Sequence, residues 1–370
     1  MKLSKFLNND ISLLGFGCMR FPVDENNKIN ELEASKMLDY AISHGVNYLD
    51  TAYPYHDGES ERFLGRYLKK YDRKSYYLAS KLPIWLCNKK EDIRKLFFEQ
   101  LDKLQVKYLD FYLVHAMNKD RFNKLKELDI YNELNKLREE GYIRYIGFSF
   151  HDEYEVFEQI ITSYPWDFCQ IQYNYLDRDI QAGDKGVALA EKLNIPIVIM
   201  EPLKGGNLSS FAPNINELFY KLDKNKSISS YAFRFLYSKK IIKVILSGMS
   251  SLDQVIDNVN TFSNITELNE QENDLLNKVR DIELKKLKVP CTNCKYCMPC
   301  PFGVNIPLNF KIYNDYFKFN NLGVSKQEYS HLNESEKSLN CKHCNACLAK
   351  CPQHLNIPEY LKEITSFYNK

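Results

Sequence analysis

The sequence predicts an α/β fold, a closed (β/α)8 TIM barrel followed by a small, mainly helical domain, on three observations. Eight short β-rich apolar segments recur between residues 12 and 247, amphipathic helical stretches separate them, and eight of the 11 cysteines are confined between Cys291 and Cys351. Alternation of strand and helix implies parallel strands, and eight such units over about 250 residues favour closure over an open doubly wound sheet. No GxGxxG follows the first strand, which weakens the open alternative further. The expected division is residues 1–285 for the barrel and 286–370 for the appendage.

The strands, in order, are SLLGFG (12–17), VNYLD (46–50), YYLAS (76–80), LDFYLV (109–114), YIRYIGF (142–148), FCQIQ (168–172), IPIVIM (195–200) and KVILS (243–247). Each is a β-rich apolar run of strand length. Between them, INELEASKMLDYAISHG and KEDIRKLFFEQLDKLQV carry apolar residues at helical spacing, and Gly45 is placed to stop the first helix.

Composition excludes several classes. With 44% hydrophobic residues, 14 Gly and 13 Pro, the 370-residue chain can bury a large core and is neither disordered nor fibrous. Lys+Arg 50 against Asp+Glu 48 leaves a net charge of +2, and no basic-aromatic stripe appears, so no nucleic-acid partner is expected. The start, MKLSKFLNNDISLLGFG, lacks the apolar run and cleavage site of a signal peptide, and runs such as Ile195 to Met200 are far short of a bilayer span. The expectation is a cytoplasmic protein with no membrane partner. In that compartment a dense cysteine cluster holds metal rather than disulfides.

In such barrels chemistry sits at the carboxyl ends of the strands. There, Asp50 ends the second strand, Tyr55 follows in the loop, Lys81 ends the third strand and His115 ends the fourth. An ammonium beside a phenol stabilises the phenolate and lowers a pKa that is ordinarily about 10. Lys81 is the candidate ammonium, Asp50 its anchor and His115 the group that positions a carbonyl oxygen. Together they are suited to protonate a carbonyl as it receives hydride. Each has a plain structural alternative, because the chain has 26 tyrosines, DTAYP can be a capped turn, and a rim lysine or histidine can simply be solvated. Their joint placement at three successive strand ends is what favours chemistry.

At these residues the chain resembles the aldo-keto reductases. The matching stretches are LGFGCMR, NYLDTAYPYHDGESERFLG, ASKLP, LDFYLVH, REEGYIRYIGFS, FCQIQYNYLDR, EPLKGGNL and SGMSSLDQVIDN, over residues 10 to 260. The resemblance implies that Asp50, Tyr55, Lys81 and His115 are a catalytic tetrad with Tyr55 as proton donor. It implies that Ser149 and Gln170 hold the carboxamide of NAD(P)H and that Asn258 lies at its adenine. The chain departs from that family at Phe150, at Met200, where an aromatic ring commonly stacks, and at Gly248 and Gln254, which replace basic residues. Phosphate is expected between Leu203-Lys204-Gly205-Gly206 and Ser247-Gly248-Met249-Ser250-Ser251, where glycines admit backbone N–H groups to an anion and Lys204 can donate. Asp253 disfavours an extra phosphate, and ordinary turn and cap sequences are the alternative. His56 and His151 lie near the expected mouth, and NKDRFNKLKELD reads as a solvated helix face.

The tail contains Cys291, Cys294, Cys297 and Cys300-Pro301, then Cys341, Cys344, Cys347 and Cys351-Pro352. Both runs continue as CP-x3-NIP, an internal duplication. The spacing is that of bacterial ferredoxins, in which three thiolates serve one cluster and a fourth, before proline, serves the other. Two [4Fe-4S] clusters in a ferredoxin-like domain follow, one on Cys291, Cys294, Cys297 and Cys351, the other on Cys341, Cys344, Cys347 and Cys300. The first run has two residues before its last cysteine where the pattern has three, which leaves the role of Cys300 open. Paired structural zinc sites are the competing reading. The segment between the runs reads as helical. A barrel of this kind with such a tail resembles an iron-sulfur subgroup of the aldo-keto reductases.

The expected function is therefore an iron-sulfur oxidoreductase acting on a small-molecule carbonyl or alcohol, with the clusters carrying electrons. Hydride moves two electrons and each cluster accepts one. A flavin would bridge the two modes, though no flavin motif is legible, and an external ferredoxin or flavoprotein would serve the clusters. The alternatives are a non-catalytic electron-transfer or redox-sensing protein with the barrel as scaffold, or clusters that only hold the tail together.

Overall fold

The computed structural model describes residues 1–291, 297–351 and 355–369. Two compact units emerge, one of Met1–Ser210 with Phe219–Asn273, the other of Phe211–Leu218 with Asp274–Lys370.

In the first unit a hairpin of β1 (Leu3–Phe6) and β2 (Asn9–Ser12) precedes eight parallel strands. These are β3 (Leu14–Gly17), β4 (Tyr48–Asp50), β5 (Tyr77–Leu82), β6 (Leu109–Met117), β7 (Ile143–Phe150), β8 (Phe168–Gln172), β9 (Ile197–Met200) and β10 (Ile242–Ser247). They close in chain order, with β10 pairing β3. Helices such as Glu31–Ser43 and Glu91–Leu104 cover the strands, which explains why the strand sequences are apolar on both faces. All eight strands fall where the sequence predicts them.

The hairpin has no counterpart in the sequence prediction. Its turn puts Leu7 and Asn8 at φ 48° and 66°, a left-handed conformation that leucine rarely favours, so no turn signature announces it. Its role is packing. Phe6 is fully buried, stacks on Phe111 with ring centroids 4.9 Å apart and meets Phe168 edge-on at 5.7 Å. It thus fills the amino-terminal end of the barrel and leaves the carboxyl ends as the open mouth.

Three strands run further than their apolar patterns suggest. Lys81, His115 and Ser149 lie inside β5, β6 and β7, not at their last residues. The β6–β7 register shifts between Val114 and Met117, leaving His115 and Ala116 in a bulge, with Ala116 at φ 52°. Bulges and left-handed non-glycine residues re-aim side chains and concentrate at functional sites.

The described part of the second unit is helical, with helices Ile306–Phe319, Leu322–Ser330 and Ile357–Tyr368. The duplicated Asn-Ile-Pro opens two of them. Asn305 and Asn356 take the N-cap position, and Pro307 and Pro358 sit in the first turn, where a missing N–H costs no hydrogen bond. Val304, Ile306, Phe310, Ile357, Leu361 and Ile364 form its core. Among the described residues no helix is long and apolar enough to cross a membrane.

Candidate active site and cysteine centre

The register sets the mouth. Asp50 pairs with Gly17 on one side and Ala79 on the other, and Ser149 pairs with Gln170. Lys81, 1% exposed, donates from Nζ to Asp50 Oδ1 at 2.6 Å, to the Thr51 carbonyl at 2.8 Å and to the Tyr55 hydroxyl oxygen at 3.3 Å. The Tyr55 ring meets His115 edge-on at 6.2 Å. All four residues expected to act together are thus brought together.

The electrostatics differ from the sequence expectation in one respect. Burial of the phenol raises the Tyr55 pKa above 10, and the Lys81 charge offsets that only in part. The neighbouring ammonium does not bring Tyr55 below its ordinary value, because desolvation of the phenolate outweighs the attraction. Burial works to lower the Lys81 pKa, but Asp50 and Tyr55 outweigh it and hold the ammonium above its usual 10.5. Burial, followed by the charges of Lys81, His151 and Arg121, holds His115 well below 6.5. At neutral pH the site presents a protonated phenol, an ammonium and a neutral imidazole whose Nδ1 is buried without a hydrogen-bond partner.

The bulge is pinned from two sides. Ala116 donates its N–H to Ser149 Oγ at 2.7 Å, and its carbonyl accepts from Arg121 Nη1 at 2.6 Å. Arg121 lies in helix Lys119–Glu127, within the stretch expected to be a solvated face. Its guanidinium instead folds over Trp85, with Cζ 5.0 Å from the ring centroid, and Trp85 lies 5.1 Å from the His115 ring. In the same helix Phe122 and Leu125 are buried and Lys124 donates to the Trp85 carbonyl at 3.3 Å. The stretch is half inward-facing because the loop carrying Trp85 rises to meet it.

A cleft of about 280 Å³ adjoins the tetrad. Tyr55, Asp50 and seven of the eight residues expected at a dinucleotide line it: Gln170, Leu203, Gly205, Gly248, Ser250, Gln254 and Asn258. Ser149 is not among its lining residues, its hydroxyl being turned to the bulge. Gln170 Nε2 also donates to Asp50 Oδ2 at 3.0 Å, and Asn258 Nδ2 to Ser247 Oγ at 2.9 Å. Lys204 departs from expectation. Its Nζ is held by both oxygens of Asp177, at 2.6 and 2.5 Å, so it is not a free donor to an anion. Arg20, on which no sequence expectation falls, lines the same cleft. It lies 3.8 Å from Glu201, and a Cβ on Gly248 would come within 3.2 Å of its side chain, so the glycine is what lets Arg20 cross the cleft. Its only sequence signal is a lone arginine just past the first strand. Of the two other histidines, His56 Nε2 accepts from the Phe21 N–H at 3.2 Å, and His151 lies within electrostatic reach of His115.

In the second unit Cys297, Cys300, Cys341, Cys344 and Cys347 line one cavity, and Cys347 is within electrostatic reach of Cys300, Cys341 and Cys344. Cys351 is buried in the core and Cys291 is half-buried, while Cys294 lies outside the described residues. Among the described residues no group of three or more His, Cys, Asp or Glu side chains is placed to hold a lone metal ion. Iron-sulfur clusters are held by cysteine thiolates, and five cysteines around one cavity supply that kind of donor, so the donor set fits a four-iron cluster.

The aldo/keto reductase family profile matches residues 13–281. The chain belongs to the aldo/keto reductase family. A second profile, described as a 4Fe-4S dicluster domain, matches residues 290–355. Among related proteins, the "Probable aldo-keto reductase 1" of Glycine max is 29% identical over 53% of this chain and 57% of its own length. The "Uncharacterized oxidoreductase YqkF" of Bacillus subtilis is 24% identical over 71% of this chain and 90% of its own. The chain thus spans little more than half of the soybean reductase. Among solved structures, the aldo-keto reductase AKR11C1 of Bacillus halodurans in its holo form is 25% identical, with a TM-score of 0.61 over 75% of this chain and 95% of that one. The reductase barrel and an iron-sulfur domain are therefore joined in one chain.

Proposed function

We propose that this protein is an iron-sulfur oxidoreductase of the aldo/keto reductase type, with residues 1–285 acting on a carbonyl or alcohol and residues 286–370 holding two [4Fe-4S] clusters that carry electrons. The observation that carries this reading is the buried chain of Asp50, Lys81 and Tyr55. Tyr55 is the proton donor. Its hydroxyl is protonated at neutral pH, and in its transition state a reduced carbonyl gathers negative charge on oxygen, which that proton and the nearby ammonium stabilise. His115, neutral, positions the same oxygen by hydrogen bonding. Asp50 keeps Lys81 charged and oriented. NAD(P)H supplies the hydride when bound, and Gln170, Leu203, Gly205, Gly248, Ser250, Gln254, Asn258 and Arg20 are the residues that would hold it, with Ser149 acting only through the bulge.

Cys341, Cys344, Cys347 and Cys300 would hold one cluster and Cys291, Cys294, Cys297 and Cys351 the other. Such clusters supply one-electron storage. A ferredoxin or flavoprotein, in the cytoplasm, is the matching redox partner. The test is anaerobic turnover of aldehydes by the full chain and by Tyr55→Phe. We expect the variant to lose about 100- to 10,000-fold in kcat, the range for a positioned acid. Unchanged turnover would overturn the assignment of Tyr55.

A further inference from the structure

Beyond the tetrad, the mouth holds a cation with no counter-ion. Arg121 is partly buried, and among the described residues no carboxylate lies within ion-pair distance of it. Burial pulls its pKa below the usual 12.5, and no acidic group counters that. Asp152 Oδ2 accepts from the Lys119 N–H at 2.9 Å, and Glu201 faces Arg20. An uncompensated charge in a partly dry site is costly unless a ligand completes it.

The geometry also limits the ligand. Nη1 is committed to the Ala116 carbonyl with Cζ 5.0 Å from the Trp85 ring centroid, and among the described residues Nε and Nη2, one edge of the fork, have no hydrogen-bond partner. Such an edge matches a planar carboxylate bidentately. From Arg121, side chains lead back through Trp85 and His115 to Tyr55.

We propose that the substrate is a carbonyl compound, or the matching alcohol, that bears a carboxylate remote from the reacting carbon, with Arg121 binding that carboxylate beside Trp85. This rests on the reading that the barrel acts on carbonyls, and the test separates the two. Trp85 reports occupancy by fluorescence, because the other tryptophan, Trp166, is 4% exposed and has its Nε1 bonded to the Ile160 carbonyl.

The cluster-loaded full chain is titrated with benzoate and with uncharged benzamide. We expect benzoate to bind roughly 10- to 100-fold more tightly, as for a hydrogen-bonded charge. Arg121→Met should abolish the difference, Arg121→Lys should restore part of it, and Trp85→Phe should remove the signal. The ratio of kcat/KM for 4-carboxybenzaldehyde over benzaldehyde should fall with Arg121→Met by a similar factor. Equal binding of benzoate and benzamide by the unaltered chain, or a difference that survives Arg121→Met, overturns the carboxylate site. Turnover of both aldehydes with equal kcat/KM keeps the carbonyl reading and sinks the carboxylate. Arg121-dependent benzoate binding with no aldehyde turnover sinks the carbonyl reading alone.

Discussion

Gln170 Nε2 donates to Asp50 Oδ2 at 3.0 Å, so both oxygens of this carboxylate are engaged, the other by Lys81 at 2.6 Å. Gln170 is 1% exposed, and Asp50 is 2%. Gln170→Leu therefore strands a buried carboxylate oxygen, which costs about 1–3 kcal/mol. Chemical denaturation should register that loss, and kcat should fall with it as Lys81 loses its orientation. Gln170→Glu, which sets two carboxylates side by side, should be worse on both measures. If neither variant differed from the parent protein, Gln170 would have no part in holding the tetrad.

Removing the ammonium acts on both stability and pH dependence. Lys81→Met leaves Asp50 as a buried charge with one weak partner, and breaking a buried pair in this way costs about 3–5 kcal/mol. The pH effect has a definite sign. Burial raises the Tyr55 pKa and Lys81 partly offsets it, so loss of Lys81 moves it further up. With Tyr55 as the proposed proton donor, carbonyl reduction uses the protonated phenol and declines as pH rises through that value. The alkaline limb of the kcat/KM profile should therefore shift to higher pH in any residual activity of Lys81→Met. A shift to lower pH would contradict the electrostatic role given to Lys81.

The barrel and the placement of residues at its mouth were legible because a parallel strand announces itself by a short apolar run, and in this topology the residue just past the run faces the mouth. Asp50 and Lys81 could thus be placed from local sequence alone. Arg121 could not. Its helix shows polar residues on most of its surface, and only the bulge at His115 and Ala116, which no local pattern encodes, turns the guanidinium inward. Lys204 failed for the opposite reason, since a lysine in a glycine-rich loop looks available until Asp177, 27 residues away, is seen to hold it. The hairpin of β1 and β2 was missed because its turn lacks glycine.

One ion pair outside the site carries a separable share of stability. Glu272, 2% exposed, receives Arg234 Nη1 at 2.5 Å and Nη2 at 2.6 Å, Lys226 at 2.9 Å and the Asn269 N–H at 2.9 Å. Burial alone would raise its pKa, yet Arg234, then the Asn269 N–H and Lys226, hold it at about 2. A carboxylate depressed in the folded state contributes stability that is full above the unfolded value of about 4.3 and is lost as pH falls through about 2. The difference is about 3 kcal/mol. Glu272→Gln should flatten the acid limb of denaturation between pH 5 and pH 2 by about that amount, and Arg234→Met should destabilise the protein more, by leaving Glu272 underpaired.

The shortened spacing before Cys300 makes it the decisive ligand to remove. Two residues, Met298 and Pro299, separate it from Cys297, and both cysteines line the same cavity as Cys341, Cys344 and Cys347. With crossed ligation each run gives three thiolates to one cluster and one to the other. Cys300→Ala should then lower iron in anaerobically purified protein from about eight to about four per chain and spare the cluster on Cys291, Cys294, Cys297 and Cys351. Cys351→Ala should do the reverse, so the two variants, reduced and compared by electron paramagnetic resonance, should retain different clusters. Retention of about eight irons in Cys300→Ala would remove that cysteine from the ligand set. Loss of different clusters in Cys300→Ala and Cys341→Ala would instead show that the runs do not exchange their fourth ligands, because only crossing places those two cysteines on one cluster.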